Sequence, residues 1–245
     1  MDARGVRRSR VSEEEESYFI SMADMMVGLL FIFIVLLLYF ALQFQQKSKA
    51  LSDAGETRAR ILTDLKRQIE KEDPSLKVTV DAGSGVLRLP ATILFAKGDY
   101  ALSSAGVANV GTVARAMARV LPCYTFPRRV TDCPDTPHSI DAIFIEGHTD
   151  ADALSGSGPV RDNMDLSALR ATNTFRAMEG SVPALGGLHN REDRPILSVS
   201  GYGADRPVAA GANEEAKSRN RRIDLRFLMA APPAEDLATM LTGAR

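Results

Sequence analysis

Residues 25–42 read MMVGLLFIFIVLLLYFAL, eighteen consecutive positions without a charge. A helix rises ~1.5 Å per residue and needs ~20 predominantly apolar residues to cross the hydrocarbon core of a bilayer. Adding 18–23 upstream and 43–44 downstream gives a span of 18–44, long enough to cross with some tilt. The run is apolar on every face, which argues against a core helix with one wetted side. It is also longer than the ~7–15-residue apolar region of a cleavable signal peptide. The FALQFQQ that ends it (40–46) offers no small-residue cleavage site. The segment is read as a membrane anchor.

Working outward, Arg4, Arg7, Arg8 and Arg10 precede the span, whereas Lys47 and Lys49 follow it. The positive-inside rule then makes 1–17 a cytoplasmic tail and sends everything after residue 44 across the membrane. Tyr18 and Phe19 at one end, with Tyr39, Phe40 and Phe44 at the other, suit the two interfacial belts.

The whole chain has 245 residues, 30 basic and 31 acidic, so it carries no nucleic-acid footprint, and its 45% hydrophobic content excludes general disorder. Its two cysteines, Cys123 and Cys133, sit in PCYTFPRRVTDCPDTPH (122–138). In an oxidising compartment they could close a disulfide loop worth ~2–3 kcal/mol; two free thiols are the alternative.

Residues 45–78 are charged and read as a linker helix ended by Asp73 and Pro74. Leu51, Leu62, Leu65 and Ile69 give it a partial apolar stripe, which fits either pairing with a second copy or a solvated spacer. From 79 to 229 short strands alternate with helices, indicating a layered α/β or α+β sandwich. Strands are expected at 86–89, 93–95, 140–147, 196–203 and 223–229, and helices at 104–121 and 165–178. Residues 230–245 form a tail with Pro232 and Pro233 and an expected short helix.

Three blocks carry the chemistry: LFAKGDYALSSAG (94–106), EGHTD (146–150) with NMDLSALRA (163–171), and GYGADRPVAAGANEEAKSRNRRIDLRF (201–227). In that order they resemble the OmpA-like peptidoglycan-binding domain of outer-membrane proteins, lipoproteins and flagellar stator subunits. The resemblance covers 85–229 and implies that Asp150 and Arg170 hold the diaminopimelate side chain of the wall peptide. That is chemically sensible, because a carboxylate takes an ammonium group and a guanidinium grips a carboxylate bidentately. Thr149, Asn163, Leu166 and Ser167 match positions that shape the pocket, and Asn220, Arg221 and Arg222 match the motif that supports it. The other reading of Asp150 and Arg170 is a simple surface ion pair. Residues 151–162, ADALSGSGPVRD, are longer than the family's usual connection and lie beside the pocket.

Other chemistry is not expected. His148 with Asp150 and Asp152 lacks a second ligand group at zinc spacing, so no metal is expected. There is no G-x-x-x-x-G-K-[ST] phosphate loop and no placeable nucleophile–base pair, so neither a cofactor nor an enzymatic activity is expected. Residues 83–85, Gly-Ser-Gly, read as a turn.

Asp24 sets the chain apart from a simple wall anchor. An ionised carboxylate costs ~2.5–3.5 kcal/mol at the centre of a membrane helix, and such residues mark ion pathways. Ser17, Ser21 and Gly28 share its stripe at helical spacing, and small residues favour close packing against partner helices. The alternative is that Asp24 caps a helix starting at Met25. A basic tail, one span with an acid near its start and an OmpA-like domain together resemble the B subunits of MotA/MotB-type stators. SMADMMVGLLFIFIVLLLYFAL (21–42) looks most like the B components of Zorya anti-phage defence systems, and the chain lacks the Trp usual in a flagellar span. The resemblance implies a bacterial inner-membrane location with the C-terminal domain in the periplasm. It also implies a homodimer of B chains inside a pentameric, multi-spanning MotA-like A subunit, with protons passing at Asp24. A flagellar stator and a passive membrane-to-wall tether are the other readings.

Overall fold

The computed structural model describes residues 3–127, 131–154 and 158–231. Its compact units are residues 1–50 and residues 51–245. The expected helix in the tail lies outside the described residues.

Helix α1, Ala3–Glu72, runs through both units. Asp24 therefore lies inside a helix and does not cap one. In the first unit every side chain from 18 to 42 is exposed, Leu29 at 72% and Phe31 at 66% among them. By length and composition this helix can cross a membrane. Leaving so many large apolar side chains in water is unfavourable at ~25 cal/mol per Å².

The second unit is an α/β fold built on a five-stranded sheet in the order β1-β2-β5-β3-β4. The strands are β1 (Thr79–Asp81), β2 (Val86–Pro90), β3 (Ile140–His148), β4 (Leu197–Gly201) and β5 (Arg222–Met229). Pairing is antiparallel except between β3 and β4, which are parallel and joined through helix α3, Asn163–Ser181. A parallel pair needs such a crossover, because a tight turn cannot return the chain in the same direction. Helix α2, Ser104–Val120, packs against α3, and α3 packs on β3 and β4. The Ser103 side chain accepts from Gly106 N to start α2, and the Asp162 side chain accepts from Asp165 N to start α3.

Alternation along β5 sends Ile223, Leu225 and Phe227 into the core with Leu87, Leu89, Ile143 and Ile145. Arg222, Asp224 and Arg226 take the opposite face. Val110, Val113, Ala114, Met117 and Leu121 are buried as the spacing of α2 predicts.

The expectation of a linker helix over 45–78 is corrected in its second half. Ile61, Leu62, Leu65 and Ile69 lie in the same core, each 1% exposed or less, whereas Leu51 is 63% exposed. Glu72 pairs with Arg115 and Arg119 of α2. The Arg58 guanidinium donates to Gly83 O at the β1–β2 turn, 3.0 Å away. The stripe is thus spent inside its own domain. Residues 93–95 also differ from expectation: Ala91–Ile93 is a single 3-10 turn, and only Phe95 bridges, to Leu102. The short β1 and the helix α4, Glu214–Asn220, were not foreseen. Cys123 and Cys133 are joined in a disulfide, with Cα atoms 5.2 Å apart.

Candidate functional site

The EGHTD stretch ends β3 and carries Asp150 just past it. Gly147 is required there by close approach: a Cβ would stand 2.0 Å from Ser167 O, so only glycine lets α3 lie directly on the strand. Ser167 is fully buried. Its hydroxyl donates to Met164 O at 2.8 Å and accepts from Gly203 N at 2.9 Å. Gly203 has φ +50° and its carbonyl accepts from Thr149 N at 2.9 Å, so the GYG turn is fastened to both α3 and the end of β3. Ser167 and Thr149 therefore position the loop; Thr149 also donates to Asp150 O at 2.9 Å.

Asp150 is 9% exposed. Its Oδ2 accepts from Arg221 Nη1 at 2.5 Å and its Oδ1 accepts from Asp152 N at 3.2 Å. Asn163 donates to Asp150 O at 3.3 Å and to Asp152 O at 2.9 Å, closing the root of the 151–162 segment. Lys217 of α4 reaches Asp152 at 2.7 Å, which raises the lysine above its ordinary pKa and lowers the aspartate. Arg221 also pairs with Glu214.

Arg170 projects from α3 and is 3% exposed. It does not pair with Asp150 among the described residues. Instead its Nε donates to Asp99 O at 2.8 Å and Nη2 to Ala96 O at 3.4 Å, and the guanidinium lies 5.1 Å from the centroid of Phe95. Asn173 fixes the same loop by donating to Tyr100 O at 2.9 Å. Burial, followed by the like charge of Arg221, pulls the Arg170 pKa down to about 10, so it stays cationic at neutral pH. No hydrogen bond is made by its Nη1 among the described residues. A buried cation with an uncommitted donor, near an acceptor carboxylate, is suited to a ligand bearing both charges.

Arg222 lies elsewhere. It is 3% exposed and donates to Asp224 Oδ2 at 2.9 Å, to Asn220 O at 3.2 Å and to Arg206 O at 3.0 Å. The neighbouring Arg221, not Arg222, is the arginine that faces Asp150. Asn220 supports the turn before α4 by accepting from Val208 N and Ala209 N at 2.9 and 3.0 Å.

Arg222 belongs to a buried polar network on the far face of the sheet. Glu146, His148 and Asp224 have ligand atoms within 4.8 Å of one another, a donor set that by type fits a metal. The surroundings do not. Arg226 takes both oxygens of Glu146 at 2.8 and 2.9 Å, and Arg88 takes both of Asp224 at 2.9 and 3.3 Å. Three guanidiniums already compensate two carboxylates, so a divalent cation would enter a positive site. Burial alone would raise Glu146, yet its pKa is held at about 2 by its charged neighbours. His148 Nε2 is 3.7 Å from both carboxylates, too long for hydrogen bonds, so the bidentate grip of Arg226 is the stronger hold. Desolvation lowers the His148 pKa, and the neutral ring stacks on Tyr202 at 5.4 Å between centroids.

In the first unit, Asp24, Ser21 and Gly28 are all exposed on α1, and a Cβ at Gly28 would meet nothing within 4 Å.

No family model matches the chain. The second unit has the α/β fold, with its mixed sheet, of MotB- and OmpA-like periplasmic domains. A crystal structure described as MotB-like, from Desulfovibrio vulgaris, superposes with a TM-score of 0.50 at 22% identity, covering 75% of this chain and 97% of that one. In sequence, the chain is 35% identical over 86 residues to Motility protein B of Bacillus subtilis (strain 168), covering 35% of this chain and 30% of that protein. It is 38% identical over 85 residues to the Peptidoglycan-associated lipoprotein of Buchnera aphidicola, covering 35% of this chain and 41% of that one. The matches thus span well under half the length of either curated relative.

Proposed function

We propose that this chain is the B-type subunit of a proton-driven inner-membrane motor of the Zorya anti-phage class, fixed to peptidoglycan by its outer domain. The observation that carries the reading is the presence, in one chain, of an exposed apolar span, 18–44, whose single acid is Asp24, and of an α/β domain with a MotB-like fold. The helix crosses the inner membrane with its arginine-rich end in the cytoplasm. Two copies sit within a pentameric MotA-like A subunit, and protons load and leave at Asp24. One elementary charge crossing 100 mV releases ~2.3 kcal/mol, enough to drive a change of contacts at one carboxyl group. The outer domain holds the B dimer against rotation by taking the zwitterionic end of diaminopimelate between Asp150 and Arg170.

Asp24→Asn should abolish phage protection at unchanged protein level while leaving wall binding intact; protection that survives the substitution sinks the motor reading and leaves a tether. Asp150→Asn or Arg170→Ala should remove the protein from a peptidoglycan pull-down with no loss of cooperative unfolding. Retained pull-down would move the pocket elsewhere.

A flagellar stator subunit is the second reading, favoured by the similarity to Motility protein B. Deleting the gene and scoring swimming and plaque formation separates the two. Loss of swimming with unchanged plaquing selects motility.

A further inference from the structure

The wall-peptide site already contains a cation of its own. Both oxygens of Asp150 are engaged, Oδ1 by Asp152 N and Oδ2 by Arg221 Nη1 at 2.5 Å. An arriving ammonium group meets a carboxylate that is compensated, not vacant. Arg221 has a second anionic partner in Glu214, whose side chain is 70% exposed, whereas that of Asp150 is 12% exposed. The guanidinium can therefore let go of the buried acid without losing its ion pair altogether. Arg170 does not share the pairing with Asp150: its Nε and Nη2 are held by Asp99 O and Ala96 O. The two guanidiniums repel each other, and Arg221 is the second cause of the lowered Arg170 pKa.

We propose that Arg221 is an internal competitor that makes the site selective for zwitterions over simple ammonium groups. The inference rests on the assignment of Asp150 and Arg170 to wall-peptide binding. A ligand offering only an ammonium must break the Asp150–Arg221 pair and gives Arg221 nothing in return. A ligand carrying a carboxylate beside its ammonium supplies that anion to the displaced Arg221 and to the uncommitted nitrogen of Arg170. The exchange is then charge-balanced: one carboxylate–ammonium pair and one guanidinium–carboxylate pair replace the internal one. Diaminopimelate ends in such a zwitterion; lysine at the same place in a wall peptide ends in an ammonium alone. Specificity here is a penalty built against the wrong ligand.

The test uses the full-length protein in lipid nanodiscs and two probes by calorimetry: L-Ala-γ-D-Glu-meso-diaminopimelate and its lysine counterpart. In Arg221→Gln the lysine peptide should bind about five-fold tighter, the scale of removing one charge-assisted competitor, and discrimination should shrink. Glu214→Gln, at an exposed position, should weaken both peptides, because Arg221 then has only Asp150 to hold. Weaker binding of the lysine peptide in Arg221→Gln would make Arg221 a contact that the ammonium needs instead of a competitor for its place, and unchanged discrimination would make it a bystander; either overturns the proposal. Asp150→Asn separates the two levels. If it abolishes binding while Arg221→Gln changes nothing, the site stands and the competitor falls; if Asp150→Asn binds normally, the site assignment itself falls.

Discussion

At the scale of single residues, a few atoms with no room to move decide this domain. Gly147→Ala places a methyl group 2.0 Å from Ser167 O, a backbone atom that cannot step aside. The expected result is a loss of more than ~2 kcal/mol with α3 displaced, read as a lower urea midpoint, because overpacked cores pay by shifting backbone. The buried network gives a pH signature. His148 has a depressed pKa in the fold, so below about 6.5 the unfolded chain binds a proton that the folded chain resists, and stability falls. Glu146, lowered from 4.5 to about 2, contributes stability that is full above pH 4.5 and lost as the pH drops toward 2. The melting temperature should therefore decline in two steps on acidification, and His148→Gln should remove the upper one. The placement of Asp150 just past β3 and of Arg170 within α3 follows from local sequence patterns. The roles of Arg221 and Arg222 do not, since β5 begins between them and strand alternation buries only the second. The network was invisible for a plainer reason: Glu146 and Asp224 meet only across paired strands.

At the scale of elements, the segment after the apolar run is the instructive one. Its charged composition reads as a spacer, yet Ile61, Leu62, Leu65 and Ile69 close one side of the core. A stripe of four residues says that a helix has an apolar face; it cannot say which surface the face meets. Leu65→Ala should cost ~2–5 kcal/mol of the second unit's stability, measured by chemical denaturation. A fragment beginning at residue 79, the boundary expected from sequence, should be unfolded, whereas one beginning at residue 51 should unfold cooperatively. The opposite pair of results would restore the spacer. Helices α2 and α3 and strands β2, β3 and β5 follow from their periodicity. Strand β1, with three residues, and α4, with seven, are too short for any period to register.

At the scale of the whole molecule, two regions with opposite solvent requirements share one chain. In the first unit residues 25–42 present an unbroken run of exposed, uncharged side chains, and the second unit buries a charged network under a sheet and ties a loop with the Cys123–Cys133 bridge. Reduction of that bridge should lower the melting temperature by an amount equivalent to ~2–3 kcal/mol, with the Asp150–Arg221 pair intact. The burial of residues 61–69 has a mechanical meaning. Tension entering along the polypeptide from its N-terminal side meets this domain at a helix clamped among its hydrophobic side chains, like a rope spliced into a block instead of glued to its surface. Such a splice resists by shearing many contacts at once, so a steady load drawn through residue 61 is carried by the same packing that keeps the domain folded.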